Sequence, residues 1–149
     1  MSSTFALTNF TKNLLVDHLL RTATMPKPAA LWWALFTVAP DETDGSGTEV
    51  VVAGGYARNQ LDPSDTSYTA TQGGITGASS GTSGASSNAA LILYGSPTTN
   101  WGNAVAIGAY DNPTAGDLWL WAPLTPTVQI NAGALAPVVP IGSLVFRLP

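Results

Sequence analysis

The chain reads as mainly β: an antiparallel β-sandwich or a barrel-like domain, preceded by one N-terminal amphipathic helix. Three observations predict it. Hydrophobic residues recur at helical spacing only before Pro28; after it the pattern alternates with period two, as strands do. The period-two runs are short and are separated by Gly, Pro, Asn and Asp turns, the signature of a small all-β fold. At 149 residues the chain is long enough to bury one core, so residues 1–149 are expected to form a single domain.

In chain order, residues 1–7 are expected to form an N-terminal arm, followed by a helix over residues 8–21. Thr8 is a plausible N-cap, while Leu7, Phe10, Leu14, Leu15, Val16, Leu19 and Leu20 form a broad apolar stripe. Lys12, Asn13, Asp17 and Arg21 supply a polar side, so the stripe should lie on a sheet or a neighbour. Pro26 and Pro28 prevent the helix from continuing.

The stretch Ala30 to Arg58 reads as a β-hairpin, with arms Ala30 to Val38 and Thr48 to Ala53 around the acidic, glycine-rich turn Asp41 to Gly47. Its first arm places Leu31, Trp33 and Leu35 on one face and Trp32, Ala34, Phe36 and Val38 on the other. Both faces are apolar. Such a strand is either sandwiched between two layers or covered on its outer face by a partner.

Further strands are expected at Asn88 to Tyr94, Ala104 to Tyr110, Asp117 to Ala122, Thr127 to Ile130 and Ser143 to Leu148. Residues 69–87 are nearly pure Gly, Ser, Thr and Ala. That composition buries too little apolar surface to offset its ordering entropy, so a mobile loop, or a segment that orders on a neighbour, is expected. Ala134 to Gly142 carries Pro137 and Pro140 and belongs at an edge, where Val138, Val139 and Ile141 invite a subunit contact.

Composition narrows function. Charged residues make up 9% of the chain, against about 25% in ordinary soluble domains, which suits a surface that spends its life against other protein. The net charge is −4 and the five basic residues are scattered, so no phosphate-backbone binding is expected. No apolar run is long enough for a membrane span and the first residues do not read as a signal peptide, which predicts a soluble protein synthesised in the cytoplasm. Cysteine is absent and His18 is the single histidine, so thiolate chemistry, disulfides and nitrogen- or sulfur-ligated zinc have no basis.

Catalytic motifs are equally scarce. His18 has no indicated nucleophile or orienting partner and reads as a surface or packing residue. Asp41, Glu42 and Asp44 before Gly45-Ser46-Gly47 loosely resemble a calcium loop, with Glu49 as a further oxygen donor, but strands rather than helices flank them; an acidic turn is the simpler reading. Gly54-Gly55 and Gly73-Gly74 lack the Lys-Ser/Thr and helix of a phosphate cradle. The tryptophans Trp32, Trp33, Trp101, Trp119 and Trp121 could stack on sugars, yet at alternating positions such as Trp119 and Trp121 they more often fill cores and interfaces. No enzyme, cofactor or metal is expected.

Leu7-Thr8-Asn9-Phe10 through Asp17-His18-Leu19-Leu20-Arg21, Ala34 to Pro40, Gly47-Thr48-Glu49-Val50 and Gly54-Gly55-Tyr56-Ala57-Arg58, with Ser87-Asn88-Ala89-Ala90, Trp101-Gly102, Ile107-Gly108, Gly116-Asp117-Leu118 and Asn131-Ala132-Gly133 following in order, resemble a small tailed-bacteriophage structural protein family. That family includes chains labelled tail fibre proteins and extends to capsid cement, or decoration, proteins. The resemblance implies a non-enzymatic virion protein on the capsid surface, with the major capsid protein as partner and a homo-oligomer, a trimer suiting three-fold positions. A tail-fibre or neck component is the alternative it leaves open, and a carbohydrate-binding β-domain is the alternative from another class. Trp32, Phe36, Tyr56, Arg58, Trp119, Trp121, Val138, Val139 and Ile141 are the interface candidates, with Arg58 either docking on a neighbour or bracing the hairpin end. The arm and the Gly/Ser loop are expected to reach across to a neighbouring subunit.

Overall fold

A computed structural model describes residues 3–43 and 46–147. The strands are β1 (Ser3–Thr4), β2 (Ala6–Leu7), β3 (Trp32–Val38), β4 (Thr48–Glu49), β5 (Asn59–Gln60), β6 (Ala85–Ser87), β7 (Ile92–Leu93), β8 (Gly102–Tyr110), β9 (Leu118–Ile130), β10 (Val138–Val139) and β11 (Leu144–Arg147), with helix α1 (Asn9–Leu20) after β2. One layer is a six-stranded sheet in the order β2-β9-β8-β3-β4, with β5 also pairing to β3. The other layer combines a three-stranded sheet, β1-β11-β6, with the two-stranded ribbon β10-β7. All pairs are antiparallel except β1 with β11. The layers pack as a sandwich and no barrel closes.

The large core lies between the layers. Leu31, Trp33 and Leu35 point into it from the β3 side, Ile107 and Ala109 from β8, and Ala122 and Leu124 from β9; Phe5, Ile92, Tyr94, Val139 and Leu144 meet them from the opposite layer. A smaller cluster occupies the outer face of the six-stranded sheet: Ala34, Phe36, Ala106 and Leu118, with Val105, Tyr110 and Trp121 packed against them. Gly108 makes that cluster possible, because a Cβ there would come within 2.9 Å of Leu118 and 3.1 Å of the Phe36 ring. The doubly apolar pattern of β3 is therefore satisfied within one protomer: Trp33, Leu35 and Phe36 are buried and Trp32 is half-buried.

The helix begins where expected, and its start is fixed by a bulge. Opposite Ala109 and Tyr110, β9 offers Leu120 and Leu118, which leaves Trp119 as an extra residue whose carbonyl accepts from the chain entering the helix. The Thr8 backbone N–H (3.2 Å) and the Thr11 hydroxyl (2.6 Å) donate to that carbonyl, and the Thr8 hydroxyl donates to the Leu118 carbonyl at 2.5 Å. The same Thr8 oxygen accepts from Thr11 N as the N-cap. Beyond the first turn the apolar stripe is only partly covered: Leu14 and Leu15 are half-buried, while Val16, Leu19 and Leu20 are exposed.

Several expectations need correction. The arm is folded back, with β1 and β2 paired inside the protomer; Met1 and Ser2 lie outside the described residues. The second hairpin arm is only β4, because the chain leaves the sheet after Val50, turns at Gly54-Gly55 and rejoins β3 as β5. Most of the expected strand Asn88 to Tyr94 is irregular, with only β7 and an isolated antiparallel bridge from Asn88 to Tyr68 paired. Asp117 to Ala122 and Thr127 to Ile130 are one strand, β9. Between Ala104 and Ala106, β8 advances two residues while β9 moves five, from Val128 to Pro123, so the strand survives its prolines through a second irregularity rather than ending. The segment 69–87 is also built in: the Gln72 amide donates to Ala78 O and its oxygen accepts from Ser80 N, Ser83 Oγ donates to Thr71 O, and its last three residues form β6. These are local side-chain to backbone bonds rather than apolar contacts.

Candidate functional site

The sequence motif Gly-Gly-Tyr-Ala-Arg ends in an internal clamp. Because β3 receives β4 and β5 along one edge, the excursion between them returns Arg58 to the side of Glu49. Arg58 Nη2 lies 2.7 Å from Glu49 Oε2 and its Nε 3.0 Å from Oε1, while Nη1 donates to the carbonyls of Asn112 and Ala115, each at 2.7 Å. The guanidinium carbon sits 3.5 Å over the Tyr110 ring. Both ion-pair partners are largely shielded, with 6% and 19% of their side-chain surfaces exposed.

Two neighbouring groups complete the clamp. Tyr56 donates to Glu49 Oε1 and accepts from Leu35 N, both at 2.9 Å. Asp111 accepts from Asp117 N and from the Trp119 indole, and Asn112 Oδ1 accepts from Thr114 N, which closes the 111–117 turn over Arg58. Gly116 is needed there: its φ is +86°, and a Cβ would strike Asp111 and Asn112. Burial, aided by Tyr94 and Glu49, pushes the Tyr56 phenol far above its ordinary range; burial does the same to Tyr94 and Tyr68. These phenols are structural donors, not acids poised for transfer. Arg58 thus braces the hairpin end.

A second clamp is centred on Asn88, within the run Ser87-Asn88-Ala89-Ala90. Asn88 is 1% exposed; its amide donates to Ala90 O and Pro140 O at 2.9 Å each, and its Oδ1 accepts from Leu144 N at 2.9 Å. Gly142 N donates to its carbonyl. It ties the residues before β7 to the turn between β10 and β11. No local pattern marks an asparagine as buried, so only the long-range contact reveals the role.

The interface candidates separate into two groups. Phe36, Tyr56, Trp119 and Val139 are buried inside the protomer, and Arg58 is spent on Glu49 and the 111–117 turn, so these five hold the domain together instead of facing outward. Trp32 and Trp121 are half-buried on the outer face of the large sheet. Trp121 Nε1 is shut off from solvent without an acceptor among the described residues. Val138 and Ile141 are exposed. Sequence reasoning missed Leu91, Leu93, Val128 and Leu135, which are also exposed, because alternation does not say which face of a ribbon is covered. With Trp33, Trp101 and Trp119 in the core, three of the five tryptophans are withdrawn from any stacking platform.

The remaining concavities hold little chemistry. A polar cleft of about 250 Å³ lies between Lys27, Ser64, Asp65 and the Gly/Ser segment, and an apolar groove of about 320 Å³ runs between Leu7 and Leu15 on one side and Leu31, Leu120 and Phe146 on the other. Asp41 is held below the usual carboxylate range by Ser46 and then Thr43, its own turn neighbours. Asp44 and Gly45 of the acidic turn lie outside the described residues, and Glu49 points to Arg58 rather than to that turn. Lone His18 accepts from Met25 N through Nδ1. Among the described residues no three His, Cys, Asp or Glu side chains come together as a metal site, and no helix is long and apolar enough to cross a membrane.

A β-sandwich whose buried polar groups serve its own turns, and whose surface carries little charge and many exposed aliphatic residues, has the character of a structural subunit. Residues 6–147 match the model of a family described as podophage GP4 fiber I protein gp80, and the chain belongs to that phage structural protein family. Comparison with curated proteins gives no match.

Proposed function

We propose that this protein is a non-enzymatic cement subunit of the virion, bound to the outer surface of the icosahedral head, where it contacts the major capsid protein and ties neighbouring capsomers together. The observation that carries the reading is the uncovered end of α1: Leu19 is 68% and Leu20 80% exposed, beside Val16 and the apolar groove floored by Leu15 and Met25. Exposed leucines at a helix end, next to an apolar groove on a charge-poor domain, suit burial against a shell. Modest contacts repeated by symmetry would then raise the temperature the head survives.

A second reading, a tail-fibre or neck component, is favoured by the fibre protein for which the matched family is described. A reconstruction of intact particles, or immunogold labelling, separates the two. Density on the head lattice is the expected result, and density confined to the tail overturns the cement reading. Purified protein added to heads lacking it should bind and raise their melting temperature; Leu19→Asp with Leu20→Asp should abolish binding while circular dichroism stays unchanged.

A further inference from the structure

Three hollows adjoin around the segment that leads from α1 to β3. The first, about 250 Å³, is a polar cleft lined by Lys27, Ser64, Asp65, Thr69 and Ser79. The second, about 180 Å³, shares Pro63 and Tyr68 with the first and lies against Phe5, Trp33 and Leu144. The third, about 320 Å³, shares Leu31, Leu120 and Phe146 with the second and continues to Leu7, Leu15, Met25 and Pro28. Two apolar hollows thus follow one polar cleft, and together the apolar pair reaches the size of small-molecule sites.

The apolar pair gives an incoming chain little to hydrogen-bond. The Thr11 hydroxyl already donates to Trp119 O and the Tyr68 hydroxyl to Leu61 O. A peptide lying there would strand its own amides, whereas an aliphatic chain has none to strand. The polar cleft supplies the other end. Lys12, Arg21 and Arg58 are each paired with an acid, but Lys27 has no ion pair among the described residues, and neither has Asp65. One ammonium and one carboxylate line the same cleft without meeting, which complements a head group that carries both signs.

We propose that this row binds a single-chain zwitterionic amphiphile of the lysophospholipid class, its head between Lys27 and Asp65 and its aliphatic chain along Tyr68, Leu120 and Phe146. Leu19 and Leu20 line none of the three hollows, so the site stands or falls apart from the contact proposed for the helix end.

The test titrates dodecylphosphocholine, kept below its micellar concentration, into the full chain. Binding is followed by calorimetry and by the emission of Trp33 and Trp119, which line the apolar hollows. Saturable binding of one molecule per chain is expected, and decylphosphocholine, two methylenes shorter, should bind roughly tenfold more weakly. Lys27→Glu and Asp65→Lys, both at exposed positions, should each weaken dodecylphosphocholine about fivefold and leave uncharged dodecanol unchanged. Leu120→Trp, in the wall common to both apolar hollows, should abolish binding with unchanged circular dichroism; Leu15→Trp, on the helix side, serves if that variant does not fold. The absence of saturable binding overturns the proposal. So does binding that survives the tryptophan, or head-group variants that weaken dodecanol as much as dodecylphosphocholine.

Discussion

The two polar clamps of this domain do the same job with opposite chemistry. At one edge of the large sheet, Arg58 and Glu49 hold the 111–117 turn with a shielded ion pair; in the opposite layer, Asn88 holds the 140–144 turn with a neutral amide. The ionic clamp sits in the part of the chain that contains charges, the amide in the part that has none. A buried charge must be matched partner for partner, whereas a buried amide needs only backbone groups, so the charge-free half can be anchored without placing any charge beside its exposed aliphatic surface.

Removing one side of the ionic clamp should have the largest effect. Arg58→Ala leaves Glu49 buried without its cation and frees two turn carbonyls, and should cost about 3 to 5 kcal/mol in urea unfolding. The comparison sharpens if Arg58→Met is combined with Glu49→Leu: the pair should lose less than Arg58→Ala alone, because no charge is then stranded. A double variant as damaging as the single would mean that the carbonyl bonds, not the ion pair, carry the clamp.

For the neutral clamp, Asn88→Ala should cost about 3 kcal/mol by the same measurement, since Leu144 N and two carbonyls lose their partners.

Alkali attacks both regions through the buried tyrosines. Their folded phenols titrate above the unfolded value of about 10, so the folded state binds more protons there; their stabilisation is complete below pH 10 and is lost as pH rises beyond it. Each such phenol steepens the loss by up to about 1.4 kcal/mol per pH unit, and Tyr94→Phe should flatten the curve by one proton. Absorbance at 295 nm followed alongside circular dichroism checks this: ionisation and unfolding should coincide.

The smallest effect is expected at Trp121→Phe. It removes a shielded indole N–H that has no acceptor, so stability should change by less than about 1 kcal/mol.

How far the sequence could be read depends on the range of the interaction that decides each feature. The helix length, the apolar faces of β3 and the turn at Asp111 to Gly116 follow from neighbours within a few residues and stand where local patterning puts them, whereas Thr8 is a cap that distant β9 also holds. The candidate surface was legible only in part. Val138 and Ile141 are outward as expected, but Phe36, Tyr56, Trp119 and Val139 are core, because hydrophobicity marks a side chain as able to be buried without saying by what. In the Gly/Ser segment the hydrogen bonds run between hydroxyls, amides and nearby carbonyls, groups that composition counts only as polar.

The sequence by itself determined a β-rich fold with one helix, a low content of charge and the absence of cysteine thiols, since these depend on residue type and local spacing. Tertiary structure alone decided that the arm folds inward, that Asn88 is a buried anchor, that Arg58 closes on Glu49, and that Leu93 and Val138 share one uncovered face. Each of those outcomes depends on which distant strand lies alongside, and a strand's two faces stay equivalent until a second layer covers one of them.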